Sequence, residues 1–219
     1  MSGVRQFHWR GMRVPFIARW SREDQRQYPI ERRPSLTGDG IGYPDEDPRA
    51  DRRDGVLWVR MPVVRGIGEP YLASVHALRQ RQCMNHMLCQ ICGESTFTHS
   101  GGRHLFLMRG AKGQPIREGE KTAVPPVHEA CAAEAVRLCP HLRKGWVAAR
   151  VEYAPPWGVA GIVYDSQTLQ PLPAERGREL EFVGLDDPRL RWTLAARDVV
   201  ALHGCTPVEL DELAAAAAH

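Results

Sequence analysis

The chain has 219 residues, of which 43% are hydrophobic and 25% charged, an ordinary balance for a soluble globular protein. The formal net charge of +3 is too small to predict nucleic-acid binding by itself. Six cysteines in a chain of this length argue against a disulfide-dense secreted scaffold, and no stretch of about 18 apolar residues predicts a membrane span. The N-terminus lacks the apolar core of a signal peptide, so we expect a cytoplasmic protein.

The first of three predicted regions, residues 1–54, holds the basic excess of the chain. The first 60 residues contain 12 arginines and 9 acids, whereas the remainder carries 17 charges of each sign. Interleaved arginine and aromatic side chains are found on protein surfaces that bind nucleic acid. They are more common on solvated faces where the aliphatic part of arginine packs over aromatic rings. The arginines that would contact nucleic acid are Arg10, Arg13, Arg19, Arg22 and Arg26.

Hydrophobic patterning predicts the elements of the first half. A strand is expected within 12–20 and another over 55–64, separated by a loop, 34–55, that we expect to be exposed because it is rich in Pro, Gly and Asp. A helix is expected over 72–88, because its apolar residues recur at intervals of three and four.

The second half is predicted to be richer in strands. A helix over about 128–139 ends at Pro140, which cannot continue it. Strands follow over 146–153, 157–164, 179–183 and 191–202. A capping box that begins at Thr206 predicts a last helix over about 207–217. The second and third regions are therefore 55–144, an α+β region, and 145–219, a β-rich region with a C-terminal helix.

Four residues of the second region have the spacing of a zinc site. Cys89 and Cys92 are followed by Gly93, whose tolerance of positive φ suits a knuckle that directs both sulfurs at one ion. His128 and Cys131 have the same spacing where a helix is expected to begin, so both side chains lie on one face of its first turn. Structural zinc takes four nitrogen or sulfur ligands, and we predict that Zn²⁺ is held by Cys89, Cys92, His128 and Cys131.

Cys139 and His141 are alternative metal ligands. Cys139 is eight residues after Cys131 and lies near the same helical face, so a set of four cysteines with His128 beside the metal stays open. Without zinc, Cys131 and Cys139 would be buried core cysteines. A redox role for the Cys89–Cys92 pair is disfavoured, because no βαβ pattern surrounds it.

A Cys-x-x-Cys knuckle followed by a ligand pair at a helix N-terminus is the treble-clef arrangement. Between its halves this arrangement has a β-hairpin, for which 97–98 and 104–108 are suitable strands. The predicted fold class is therefore α+β, a zinc-stabilised treble-clef-like unit combined with a β-rich half.

Three classes of function are compatible with such a site. The first is a binding module in which structural zinc supports a surface for nucleic acid or a protein partner. The second is an HNH-like nuclease, with His99 and His104 in the required interval, although no Asp lies between Cys92 and Cys131. The third, catalytic zinc as in nucleoside deaminases, lacks the His-x-Glu signature and an open coordination position.

The runs 81–93, 125–131 and 138–142 resemble a group of uncharacterised proteins from actinobacteria and their phages. In that group the second pair can be Cys-x-x-Cys, which implies that His128 occupies a ligand position. The resemblance covers about 60 residues and implies an accessory role in a phage, a mobile element or specialised metabolism. We expect a zinc-binding accessory protein; whether it has enzymatic activity and which partner it binds are left undecided by the sequence.

Overall fold

The computed structural model describes residues 3–24, 28–34, 38–99, 101–111, 114–175 and 178–209, and confirms the predicted mixture of helix and sheet. No helix within these ranges is long and apolar enough to cross a membrane. The strands are β1 His8–Trp9, β2 Met12–Arg13, β3 Ala18–Trp20, β4 Glu31–Arg33, β5 Gly40–Gly42, β6 Arg52–Arg53, β7 Val56–Trp58, β8 Pro70–Val75, β9 His104–Arg109, β10 Glu120–Thr122, β11 Trp146–Val151, β12 Pro156–Val163, β13 Glu181–Gly184, β14 Thr193–Leu202 and β15 Thr206–Pro207. The α-helices are α1 Pro48–Asp51, α2 Ala77–His86 and α3 Glu129–Leu138, and 3-10 helices cover Ser21–Glu23, Thr96–His99, Leu142–Lys144 and Pro188–Trp192.

The largest sheet has six strands, in the order β13-β12-β14-β7-β6, with β10 pairing β14 beside this path. β14 is its central strand, since it pairs with β12, β7 and β10. Its consecutive Val, Leu and Ala side chains are small or branched, which suits a strand with both faces covered. Strands from all three predicted regions lie side by side in this sheet.

A three-stranded sheet, β15-β11-β9, supports the candidate metal centre. β9 and β11 pair antiparallel along their whole length, from Trp146 opposite Arg109 to Val151 opposite His104. Leu105 and Leu107 alternate onto one face of β9 and pack in one buried cluster with residues of α3. This packing fixes α3, and with it two of the predicted ligands, against the sheet.

The N-terminal segment is tied to distant parts of the chain. β3 pairs antiparallel with β8. The fully buried Glu23 accepts hydrogen bonds from Arg79 of α2, at 2.7 Å to Oε1 and 2.6 Å to Oε2. A buried carboxylate is tolerated because the guanidinium pairs with it in this bidentate way.

The predicted helix over 72–88 is too long at its N-terminal end. Residues 72–75 belong to β8, and α2 begins at Ala77. The spacing of Leu72 and Val75 fits a helix, but pairing with β3 takes precedence over this local periodicity. The predicted strand over 55–64 is correspondingly reduced to β7, Val56–Trp58.

Two predicted irregular or extended segments differ in the structure. The loop over 34–55 is not uniformly exposed, because Ile41 of β5 and Tyr43 are fully buried and form a core cluster with Leu57 and Leu194. The expected strand at 97–98 lies in the 3-10 helix Thr96–His99, so the predicted hairpin with β9 does not form. β9 pairs with β11 instead.

The strands of the second half follow the predictions closely, as do the limits of α3. The predicted C-terminal helix is wrong at its start, because Thr206–Pro207 forms β15 and pairs with Ala149 and Arg150 of β11. Residues 210–217 of that predicted helix lie outside the described residues.

Candidate metal centre

The first two predicted ligands lie on a tight knuckle after α2. The backbone N–H of Cys89 donates to the carbonyl of Glu94, and the N–H of Gly93 donates to the carbonyl of Cys89, each at 2.8 Å. Gly93 has φ +80°, and a Cβ there would lie 2.7 Å from a ring carbon of Phe16. Glycine is therefore required both by the backbone conformation and by the close packing of the N-terminal segment.

The other two predicted ligands lie at the start of α3. His128 is the N-cap residue and Cys131 is in the first turn, so the helix presents both side chains to the knuckle. The ligand atoms of Cys89, Cys92, His128 and Cys131 all lie within 4.8 Å of one another. Among the described residues, this is the only group of three or more such side chains placed to hold a metal ion.

The imidazole of His128 is oriented by hydrogen bonds on both sides. Its Nδ1 lies 3.3 Å from the Sγ of Cys92, and its Nε2 lies 3.0 Å from the carbonyl oxygen of Ser95. Because that carbonyl only accepts hydrogen bonds, Nε2 carries a proton and Nδ1 is the nitrogen available to a metal. The backbone N–H of His128 also donates to the Sγ of Cys89, at 3.5 Å.

The four groups perturb one another strongly. Hydrogen bonds from Cys131 and Cys92 lower the pKa of Cys89 well below its usual range. Cys89 and Cys92 raise the pKa of His128 to about 10, and they also raise the pKa of Cys131. Because thiols and imidazole bind metals in their deprotonated forms, a divalent cation that bound here would displace the protons of these groups.

The donor set and its dimensions fit zinc. Tetrahedral zinc with bonds of about 2.3 Å to sulfur separates its ligand atoms by about 3.8 Å, which agrees with a cluster that spans at most 4.8 Å. Three thiols and one imidazole are soft and borderline donors, the set found in structural zinc sites. Cys89, Cys92, His128 and Cys131 would hold the ion.

Arg13 is the charged residue next to this cluster. Its Nη1 lies 3.7 Å from the Sγ of Cys131, and its Nε lies 3.5 Å from a carboxylate oxygen of Glu134 on α3. Arg13 is one of the five arginines that the sequence offers as candidate nucleic-acid contacts. In the structure its guanidinium faces Cys131 of the candidate metal centre.

The N-terminal segment contributes two further contacts that the sequence did not predict. The Nε2 of Gln6 donates to the carbonyl of Cys92 at 2.8 Å, and the backbone N–H of Phe16 donates to the carbonyl of Ile91 at 2.9 Å. Nothing in the local spacing of residues 6–16 signals these contacts, because their partners lie about 75 to 86 positions further along the chain.

The alternative ligands lie apart from the four-residue cluster. Cys139 follows the C-terminal end of α3 and is half-buried, and His141 is exposed beyond it. Because Cys131 is in the first turn and Cys139 follows the last, about 12 Å of helix axis separates them. A single ion cannot reach both.

The other predicted arginines differ in their surroundings. Arg19 pairs with Asp24 at 3.1 Å and lies over the ring of Tyr71. Arg10 and Arg22 are exposed, and Arg10 lies over the ring of Trp9. Arg26 lies outside the described residues.

His104, the residue considered for an HNH-like nuclease, has a packing role. It is buried on β9, its Nδ1 lies 2.7 Å from the Oγ1 of Thr96, and its ring packs edge-on against Phe97. Burial lowers the pKa of His104. The side chain of His99, the other histidine considered, lies outside the described residues.

An apolar cleft of about 420 Å³ opens beside the candidate metal centre. One wall is formed by the N-terminal segment and β8, and the other by β9 and the C-terminal half of α3, with the knuckle at Gln90 and Ile91 between them. The charged and imidazole groups that line it are Arg13, Glu134, Arg109 and His141.

Comparison with known proteins yields no matching family model, no matching curated protein and no matching solved structure.

Proposed function

We propose that this chain is a zinc-stabilised binding protein, in which the metal is structural and the apolar cleft beside it receives a ligand or partner. The observation that carries the proposal is the convergence of four buried or half-buried ligand atoms from two separate segments within 4.8 Å. Four protein ligands complete a tetrahedral shell and leave no position for the water molecule that a catalytic zinc activates.

A structural metal at this position would strengthen a junction that hydrogen bonds already make between the knuckle and the start of α3, such as that from the backbone N–H of Gln90 to the carbonyl of Pro126. The knuckle precedes β9 and α3 follows β10. The ion would therefore connect two segments with 35 residues between Cys92 and His128. Coordination supplies folding free energy where the local core is small, about 10 to 16 kcal/mol in zinc-finger peptides. The treble-clef-like description rests on this knuckle and helix N-terminus, since the intervening hairpin is absent from the described residues.

The cleft is proposed as the binding surface because of its size and lining. Ligand sites commonly enclose about 300 to 1,000 Å³ and are mainly apolar with a few polar groups, a description that the cleft of about 420 Å³ fits. Its walls include Gln90 and Ile91 of the knuckle, so loss of the metal would also disorganise the cleft.

Nucleic acid is a second candidate partner, favoured by the exposed Arg10 and Arg22 and by the stacking of Arg10 on Trp9. Arg13 and Arg19 are engaged in ion pairs, which leaves a small basic surface. A mobility-shift titration at two salt concentrations tests this candidate, and absence of a shift at low salt excludes it.

Elemental analysis of the purified chain, followed by thermal unfolding before and after chelation, tests the structural zinc. We expect one zinc per chain and a large fall in melting temperature when it is removed, restored by zinc. A chain that kept its melting temperature after complete removal of the metal would contradict a structural role.

A further inference from the structure

The charges of the apolar cleft are distributed unequally. Arg13 and Glu134, both half-buried, pair with each other, so they add no excess charge of either sign. Arg109 of β9 and His141, which precedes the 3-10 helix Leu142–Lys144 that contacts β9, are exposed, and neither has an ion pair within the described part of the chain. The cleft therefore combines an apolar interior with one cationic end.

Arg109 is held at this end by the register of its strand. It follows Leu107 on the same face of β9, and its backbone pairs with Trp146 of β11. Leu107 packs in the cluster that contains Val127 and lines the cleft, so its neighbour two residues on lies where the apolar lining ends. His141 comes from the turn after α3 and completes this end.

From this combination we infer that the cleft binds a small amphipathic carboxylate, whose aliphatic chain lies against the apolar walls and whose carboxylate meets Arg109 and His141. The inference rests on the proposed binding role of the cleft and names the chemistry of its ligand. Charge complementarity supports it, since an anion gains a charge-assisted hydrogen bond from a guanidinium that has no carboxylate partner of its own among the described residues. A cationic or neutral amphiphile would leave that guanidinium without a carboxylate partner.

Three amphiphiles with alkyl chains of nine or ten carbons and different head groups test the inference on the full, zinc-loaded chain. Decanoate, 1-decanol and decyltrimethylammonium are titrated calorimetrically below the concentrations at which they aggregate. We expect decanoate to bind at least about tenfold more tightly than decanol, the effect of roughly one charge-assisted hydrogen bond, and the cation to bind most weakly.

Matched variants locate the binding. Arg109→Gln should reduce decanoate affinity to that of decanol, whereas Arg49→Gln, at an exposed position that does not line the cleft, should leave it unchanged. Leu72→Asn should weaken decanoate and decanol alike, because Leu72 lines the cleft while 42% exposed. Leu185→Asn, at a 48% exposed position elsewhere, should weaken neither.

Equal affinity for the three probes, or equal effects of Arg109→Gln and Arg49→Gln, would overturn the inference. Absence of decanoate binding by a chain that retains one zinc would overturn the ligand class and leave the structural metal standing. A chain without zinc would contradict the proposed function itself. Binding of an apolar peptide in place of decanoate would reassign the cleft to a protein partner.

Discussion

The guanidinium of Arg13 and the thiol of Cys131 meet across 118 positions of sequence, with Nη1 and Sγ 3.7 Å apart. Three thiolates and one neutral imidazole around Zn²⁺ would leave one net negative charge on the centre. Arg13 is placed to offset that charge, and its ion pair with Glu134 holds it in position. Arg13 would therefore raise the affinity of the site for zinc without coordinating the ion.

Arg13→Gln should lower the zinc affinity of the chain about tenfold or more, the usual effect of removing a group that supports metal ligands. The glutamine side chain that replaces it is polar but shorter, and it carries no charge. Zinc affinity is measured by competition with a chromophoric chelator. Arg19→Gln is the matched control, because Arg19 is also N-terminal and ion-paired, yet its partner is Asp24. Equal affinities in the two variants would show that Arg13 does not act on the metal.

The candidate site could be predicted because the pattern that identifies its ligands lies within short stretches of sequence. Each ligand pair is spaced within one turn, and Gly93 marks the knuckle; the structure brings the two pairs together. The strands that follow α3 could be predicted for the same reason. In each of them apolar residues either alternate with polar ones or form a continuous run, and Pro or Gly marks the ends.

The missed features depend on contacts that are distant in sequence. Leu72 and Val75 have helical spacing, but β3 pairs with their segment from more than 50 residues away. The pairing of Thr206 with Arg150 likewise takes precedence over a local helix signal. The cleft could not be predicted at all, because its walls come from five separate segments of the chain.

Serine substitutions at the two ends of α3, at Cys131 and at Cys139, should differ in their effect on metal content. Cys131→Ser should lose most of its zinc, because serine is a poor zinc ligand at neutral pH and the cluster contains Cys131. Cys139→Ser should keep one zinc per chain, since Cys139 lies beyond the far end of the helix. Elemental analysis of both proteins measures this. Loss of zinc from both variants would instead support the alternative set that includes Cys139.

Glu23→Gln should destabilise the fold strongly, by about 3 to 5 kcal/mol, because it leaves the buried guanidinium of Arg79 without its carboxylate. Burial opposes ionisation of Glu23, yet its hydrogen bonds and attraction to Arg79 leave its pKa below the ordinary value. Urea unfolding of the zinc-loaded chain measures the difference. Asp24→Asn removes the exposed ion pair next to it and should change stability by less than about 1 kcal/mol. Similar losses in both variants would contradict a special contribution from the buried pair.

Asp198→Asn should change stability in a pH-dependent way. Burial raises the pKa of Asp198 to about 6, although the guanidinium groups of Arg81 and Arg53 act in the opposite direction. Because this value lies above the unfolded one of about 3.9, the carboxyl favours the folded state most below pH 4, and that contribution is lost as pH rises through 6. The amide does not ionise, so the melting temperature of the variant relative to the wild type should rise between pH 5 and pH 8.

Both chains keep the same metal cluster, whose own pH dependence cancels in the difference. The matched control is Asp186→Asn, which makes the same substitution at an exposed position. A variant that becomes relatively less stable toward pH 8 would show that Arg81 and Arg53 stabilise the ionised carboxylate more than burial penalises it.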